Sequence, residues 1–182
     1  MRAALMLRLG ICGVLAHGTA GADPGSVLGE KLVMGWLESV FVLPGNVRVT
    51  AKLDTGAKTS SLHAGNVEHF KRSGVEWVRF NFVPDKGADP IRMERPLVRT
   101  AIIKERQAHS SERDVVRLEI CKNGKNYETE FTLYDRSNFN YPILLGRSFL
   151  QDVALVDASE TFLFKAETDP CAKAVVEPSP KS

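Results

Sequence analysis

Val47-Arg48-Val49-Thr50-Ala51-Lys52-Leu53, followed at once by Asp54-Thr55-Gly56-Ala57, decides the reading of this chain. The first seven residues alternate apolar and polar, the period of a strand with one face in a core. The run then stops at a turn-permissive segment in which Gly56 lets the backbone approach another chain or a ligand closely. A strand thus delivers a carboxylate to its own end, followed by a hydroxyl and a glycine. Asp, Thr and Gly are also ordinary turn residues, so the tetrapeptide gains meaning from its context. That context is a second segment far downstream, Ile143-Leu144-Leu145-Gly146-Arg147, a short apolar run that ends on a glycine.

Outward from this pair, the chain reads as strands and turns. Leu32 to Leu43 is apolar and stops at Pro44-Gly45. Thr59 to Ala64 predicts a short strand. Val78, Phe80 and Phe82 alternate with Arg79 and Asn81, a two-residue period. Asp85 to Pro90 is a loop by composition. Ile91 to Ile103 predicts one or two strands interrupted at Pro96, which favours an edge. Lys104 to Asp114 is charged and reads as an exposed loop. Val115–Lys122 and Lys125–Tyr134 form the clearest hairpin, because Asn123-Gly124 suits a tight turn with positive φ at both positions. Arg147 to Asp152 predicts one helical turn, and Val153–Asp157 with Thr161–Lys165 a final hairpin. No long stretch has helical periodicity. The expected class is all-β, a small barrel or sandwich with one short helix.

A chain of 182 residues, 43% of them hydrophobic, fits one domain with its own core. Residues 1–22 stand apart: Arg2 and Arg8 are basic, Leu5 to Ala16 is a short apolar stretch, and Ala20-Gly21-Ala22 offers small residues for cleavage, the layout of a secretory signal peptide. The run is too short to span a membrane comfortably. Ile11 before Cys12 is too large for a lipidation site. Cleavage after Ala22 removes two of the 24 basic residues and none of the 22 acidic ones, leaving equal numbers of each. No field for nucleic acid remains. The expectation is a periplasmic or secreted protein without a membrane span, its domain at 23–165 and its tail, 166–182, disordered unless Cys171 is tied down. In an oxidising compartment Cys121 and Cys171 can pair, closing a loop of about fifty residues for ~4 kcal/mol. The alternative is a buried thiol and a separate tail thiol.

The chemistry of Asp54 requires a second carboxylate. Acid hydrolysis of a peptide needs two carboxyls sharing a proton, one as base toward water and one as acid toward the substrate. Such a pair titrates as a unit. With one Asp-Thr-Gly per chain, the solution is a symmetric homodimer giving one Asp54 from each protomer. Thr55 then holds the two loops in register, Gly56 leaves room for substrate backbone, and Ala57 is small beneath the cleft. Metal or cofactor is not required. His-Glu-x-x-His is absent, and His63 and His69 have no evident third ligand. Gly56-Ala57-Lys58-Thr59 fails as a phosphate loop, and Ser60 and Ser61 near His63 lack a nucleophile elbow.

Three blocks carry a resemblance: Val33-Met34-Gly35-Trp36-Leu37-Glu38, Ala51 through Ala64, and Leu133-Tyr134-Asp135-Arg136-Ser137 through Pro142–Arg147. In this order they resemble a bacterial family of retropepsin-like proteins, often labelled "ATP-dependent zinc protease". The resemblance spans roughly residues 33 to 165. It implies a small closed barrel of the acid-protease type, with Ile143–Gly146 packed beside the Asp54 loop. It also implies Asp54 as the catalytic aspartate, supported by Thr55, Gly56, Ala57, Leu145 and Gly146. Some members accompany ATP-grasp peptide ligases, which points to a peptide or protein substrate. Viral retropepsins often place an acidic residue where this chain has Lys58. Lys58 and Thr59 are the candidate substrate-binding residues, and a Lys58-edged cleft favours acidic peptides. Lys58 cannot pair with Arg147, for which Asp135 and Asp152 are the candidate partners. A covering flap is expected between Trp77 and Ile103. An alternative function is a catalytically inactive peptide- or partner-binding module of the cell envelope.

Overall fold

The computed structural model describes residues 31–104 and 110–173. The signal-peptide reading of residues 1–22 lies outside them. The first strand, β1 (Leu32–Leu43), turns through Pro44–Asn46 into β2 (Val47–Leu53), its antiparallel partner. Val49, Ala51 and Leu53 are buried on β2, while Arg48, Thr50 and Lys52 face outward, as the alternation requires. Next come β3 (Ser60–Arg72), β4 (Val75–Phe82), β5 (Ile91–Pro96) and β6 (Arg99–Lys104). The chain continues through β7 (Ser110–Lys122), β8 (Lys125–Tyr134), β9 (Ile143–Leu145), α1 (Arg147–Val153) and β10 (Ala154–Thr161).

Six of these strands close on themselves. The order runs β1-β2-β9-β3-β8-β7, and β7 returns to β1 through Phe41↔Cys121, Val42↔Ile120 and Leu43↔Glu119. Closure removes free edges from this set. The interior takes Val40, Val42, Leu62, Val116, Ile120, Phe131, Ile143 and Leu145, each at most 1% exposed. On the outside, β10 flanks β1, β6 flanks β7, and β4–β5 is a hairpin hung from β3. Phe80 and Phe82 of β4 are fully buried in the same core. The all-β closed barrel with one short helix is therefore the observed class. The Asn123-Gly124 turn has φ of 51° and 74°, as the two-residue connection demands.

Three local expectations are corrected. Strand β3 runs to Arg72 rather than stopping near Ala64. The charged Lys104–Asp114 segment is not all loop: β7 starts at Ser110 and pairs with β6 from Lys104↔Ser110 to Arg99↔Val115, with residues 105–109 outside the described set. Polarity there signals exposure of a two-stranded arm, not loss of strand. The expected final hairpin is one strand, β10, parallel to β1. Gly35 makes this possible, since a Cβ there would lie 2.5 Å from the Glu160 carbonyl oxygen.

The described part of the tail, residues 166–173, meets the condition set for its order, since Cys171 is tied down, and residues 174–182 lie outside the described residues. Ala166–Thr168 and Pro170–Lys173 form 3₁₀ turns seated against the barrel. Cys121 and Cys171 are bridged, with Cα atoms 5.8 Å apart. The Asp169 carboxylate accepts from the N–H groups of Asn123, Gly124 and Cys171 at 3.0, 3.3 and 2.9 Å. Beneath lies a fully buried ion pair, Lys122 Nζ to Glu38 Oε2 at 3.0 Å. Lys122 also donates to the Ser39 carbonyl at 2.9 Å, and Glu38 Oε1 accepts from Gly35 and Leu163 N–H. Both buried charges thus gain the partners that burial demands.

Candidate active site

Leu53 on β2 pairs in parallel with Leu145 on β9, and the Asp54 N–H extends that ladder to the Leu145 carbonyl at 2.9 Å. The turn then closes through Ala57 N–H to the Asp54 carbonyl at 3.2 Å. The Asp54 Oδ1 accepts from Gly56 N–H at 2.9 Å and Ala57 N–H at 3.2 Å. Its other oxygen lies 3.4 Å from Lys52 Nζ, one strand period back on the same face. Burial pushes the Asp54 carboxyl upward. The Gly56 N–H, the Lys52 charge and hydrogen bond, and the Ala57 N–H together outweigh it and hold the carboxyl below its usual range. The partners of this carboxylate are two amides and an ammonium; none is a second carboxylate.

The far segment fixes the loop from the other side. Arg147 N–H donates to the Ala57 carbonyl and Ser148 N–H to the Lys58 carbonyl, each at 2.9 Å. Gly146 N–H donates to Ser60 Oγ at 3.1 Å. A Cβ on Gly146 would lie 2.6 Å from the Thr59 carbonyl oxygen, so glycine is what allows the two segments to touch. Arg147 does not pair with Asp135 or Asp152: its Nη1 donates to the Thr55 and Gly56 carbonyls at 3.0 and 2.8 Å. A guanidinium offers several donors in a fixed fork, and the turn offers outward carbonyls with no competing donor.

The sequence-predicted set is therefore brought together: Asp54, Thr55, Gly56, Ala57, Leu145 and Gly146 form one unit at the barrel end. Thr55 and Gly56 are exposed, and Lys58 is exposed at the loop's outer side. Lys58 and Thr59 line a cleft of about 490 Å³ with Arg99, Arg117, Glu130 and Ser148, among others. Three residues went unassigned. Lys52 is legible only as the polar member of the strand before Asp54. Ser61 accepts from Arg136 Nη1 at 2.7 Å, and Arg136 Nε donates to the Tyr141 carbonyl at 3.1 Å. Arg136 is only 6% exposed. Its N–H donates to His63 Nδ1 at 2.8 Å, so that nitrogen is the acceptor and the ring's proton sits on Nε2. His63 thus joins β3 to the loop after β8. Among the described residues no group of three or more His, Cys, Asp or Glu is placed to hold an ion.

Comparison with known proteins fits this geometry. The model of the RimB-like family, described as the retropepsin-like aspartic endopeptidase RimB, matches residues 33–167. A protein from Shewanella pealeana named "Probable alpha-L-glutamate ligase" is 36% identical over 143 residues, covering 77% of this chain and 31% of that protein. One of the same name from Desulfotalea psychrophila is 37% identical over 111 residues, covering 60% of this chain and 24% of the relative. The chain therefore spans under a third of the length of these curated relatives. Lpg0085 from Legionella pneumophila, a crystal structure described as of unknown function, is 34% identical with a TM-score of 0.63. That likeness covers 72% of this chain and 96% of Lpg0085. Matched from the first barrel strand through the Gly146 segment, the chain belongs to the RimB-like family of retropepsin-like aspartic endopeptidases.

Proposed function

We propose that this protein is an exported aspartic endopeptidase that works as a homodimer, each protomer supplying one Asp54. The observation that carries the reading is a strand-end carboxylate with a rigidly hydrogen-bonded loop and, among the described residues, no carboxylate partner. A twofold axis beside Gly56 supplies the missing group. Two carboxylates brought that close cannot both ionise, so the pair holds one proton. The ionised member takes a proton from water as the oxygen attacks the peptide carbonyl. The protonated member first hydrogen-bonds the carbonyl oxygen, and a proton then passes to the departing amide nitrogen. The amides of Gly56 and Ala57 keep Asp54 Oδ1 in place throughout, and Thr55 steadies the opposing loop.

Acidic peptides are the proposed substrates. Lys58 edges the loop, Arg147 and Lys52 lie beside it, and the longer relatives carry a name for glutamate ligation. Carboxylate-rich peptides would meet these basic side chains at the loop. The test is hydrolysis of acidic and basic peptide libraries by the mature chain and by Asp54→Asn. The proposal expects cleavage of acidic peptides, abolition by Asp54→Asn, and inhibition by a pepstatin-type statine. Unchanged turnover in Asp54→Asn refutes it, as does a strictly monomeric enzyme under turnover conditions. A second reading, an inactive peptide-binding module, draws on the Lys52 contact, which favours an ionised Asp54 over a shared proton. Sedimentation at micromolar concentration separates the two, since only the first needs a dimer.

A further inference from the structure

Beside the Asp54 loop the structure holds a second concavity, of about 200 Å³, lined by His63, Lys86, Arg136, Phe139 and Pro142, among others. Small-molecule sites run to about 300–1,000 Å³, so this one suits a single side chain. Its tie to Asp54 is short in the sheet. Leu53 pairs with Leu145, Leu144 pairs with Ser61, and the Ser61 hydroxyl accepts from Arg136. Asp54 is close enough for its charge to act on the Arg136 guanidinium.

Arg136 is the unusual member. It is nearly buried, yet among the described residues no carboxylate forms an ion pair with it. Neutral oxygens of Ser61 and Tyr141 hold Nη1 and Nε, respectively. The exposed ring of Phe139 lies 4.6 Å from the guanidinium carbon. Burial, and then the neighbouring charge of Arg113, push this guanidinium below its usual range, while Asp54 and Tyr134 oppose them. A buried cation whose charge is met only by neutral groups and a neighbouring carboxylate favours an incoming anion. Asp85 is the acidic residue of the lining, and its Oδ1 accepts from the Lys86 N–H of its own loop.

We propose that this pocket receives a carboxylate of the substrate, with Arg136 as the specificity-determining residue and Lys86 as a weaker contributor at its rim. The inference rests on the peptidase reading only for what happens next to the bound peptide; carboxylate binding itself is independent of it. A carboxylate here can come from a glutamate side chain or from a peptide C-terminus, and the probes distinguish them.

Equilibrium binding is measured on the full chain carrying Asp54→Asn, so that peptides stay intact. The probes are an acetylated, amidated tri-glutamate, its free-acid form, and the amidated tri-glutamine. Charged hydrogen bonds predict about 10- to 100-fold tighter binding of amidated tri-glutamate than of tri-glutamine. Arg136→Met, shown folded by circular dichroism, is expected to erase that ratio and Arg136→Lys to restore part of it. Tight binding of the free acid alone assigns the pocket to a chain terminus instead of a side chain, with the same dependence on Arg136. Equal affinity for all three peptides, or a ratio that survives Arg136→Met, overturns the proposal. Should Arg136→Met not fold, Lys86→Met and Phe139→Ala decide it, since an unaltered ratio in both refutes the site. Failure of the unmutated chain to hydrolyse tri-glutamate while the binding preference persists counts against the peptidase reading alone.

Discussion

Lys122→Met severs the buried pair beneath the tail. Both side chains are fully buried, and the Nζ–Oε2 distance is 3.0 Å. Methionine fills much of the volume but leaves Glu38 facing the interior with two N–H donors, from Gly35 and Leu163, and no cation. Removing one partner of a buried ion pair destabilises by about 3–5 kcal/mol. For a chain of this size that is a fall in Tm on the order of 10 °C. Asp169, 3.9 Å from Lys122 Nζ, is not similarly stranded, because three backbone N–H groups satisfy it. The companion variant, Lys122→Met with Glu38→Gln, removes the uncompensated charge while the amide oxygen still accepts from Gly35 and Leu163. It is expected to recover at least half the loss. Urea denaturation followed by circular dichroism measures both. A single variant within about 1 kcal/mol of wild type, or a double variant no better than the single, refutes the reasoning.

Arg147→Met leaves the backbone bonds of α1 to the loop but removes the two donors to Thr55 and Gly56. Hydrolysis is expected to drop about 10- to 100-fold in kcat/KM with little change in Tm, since small misplacements near reacting groups are amplified. Cys171→Ser is expected to lower stability by about 4 kcal/mol in the chain-entropy view; a matched loss on adding reductant to the wild type checks it. Asp54 is held below its usual range when folded, so its stabilisation is present above the unfolded value of about 3.9 and disappears as pH falls through the lowered one. Denaturation of the monomer at several pH values is expected to show the gap between wild type and Asp54→Asn narrowing below about pH 4.

The barrel was readable where residues alternate. Val49, Ala51 and Leu53, or Val116, Leu118 and Ile120, announce both strand and buried face because the period of a pleat is written into them. Asn123-Gly124 announces its turn for steric reasons. The start of β7 was hidden because Ser110 to Asp114 is polar on both faces, which erases the period, while most of its partner β6 lay within the strands read up to Ile103. The second half of β10 was hidden because Asp157 to Glu160 has turn composition, and pairing with the neighbouring β1, Gly35↔Asp157 and Leu37↔Thr161, keeps it extended. The Asp54 unit was legible as two separated segments. Arg136 was not: a single arginine in a polar loop carries no local sign of being buried, and its burial follows from Ser61 and Tyr141, which the fold brings to it.

Arg147 reaches carbonyls of residues 92 and 91 positions earlier in the chain. A ribosome releases the Asp54 segment long before its restraint exists. The brace on the Asp54 turn therefore arrives only with the last quarter of the polypeptide. A chain cut short before Arg147 lacks this brace on the Asp54 turn.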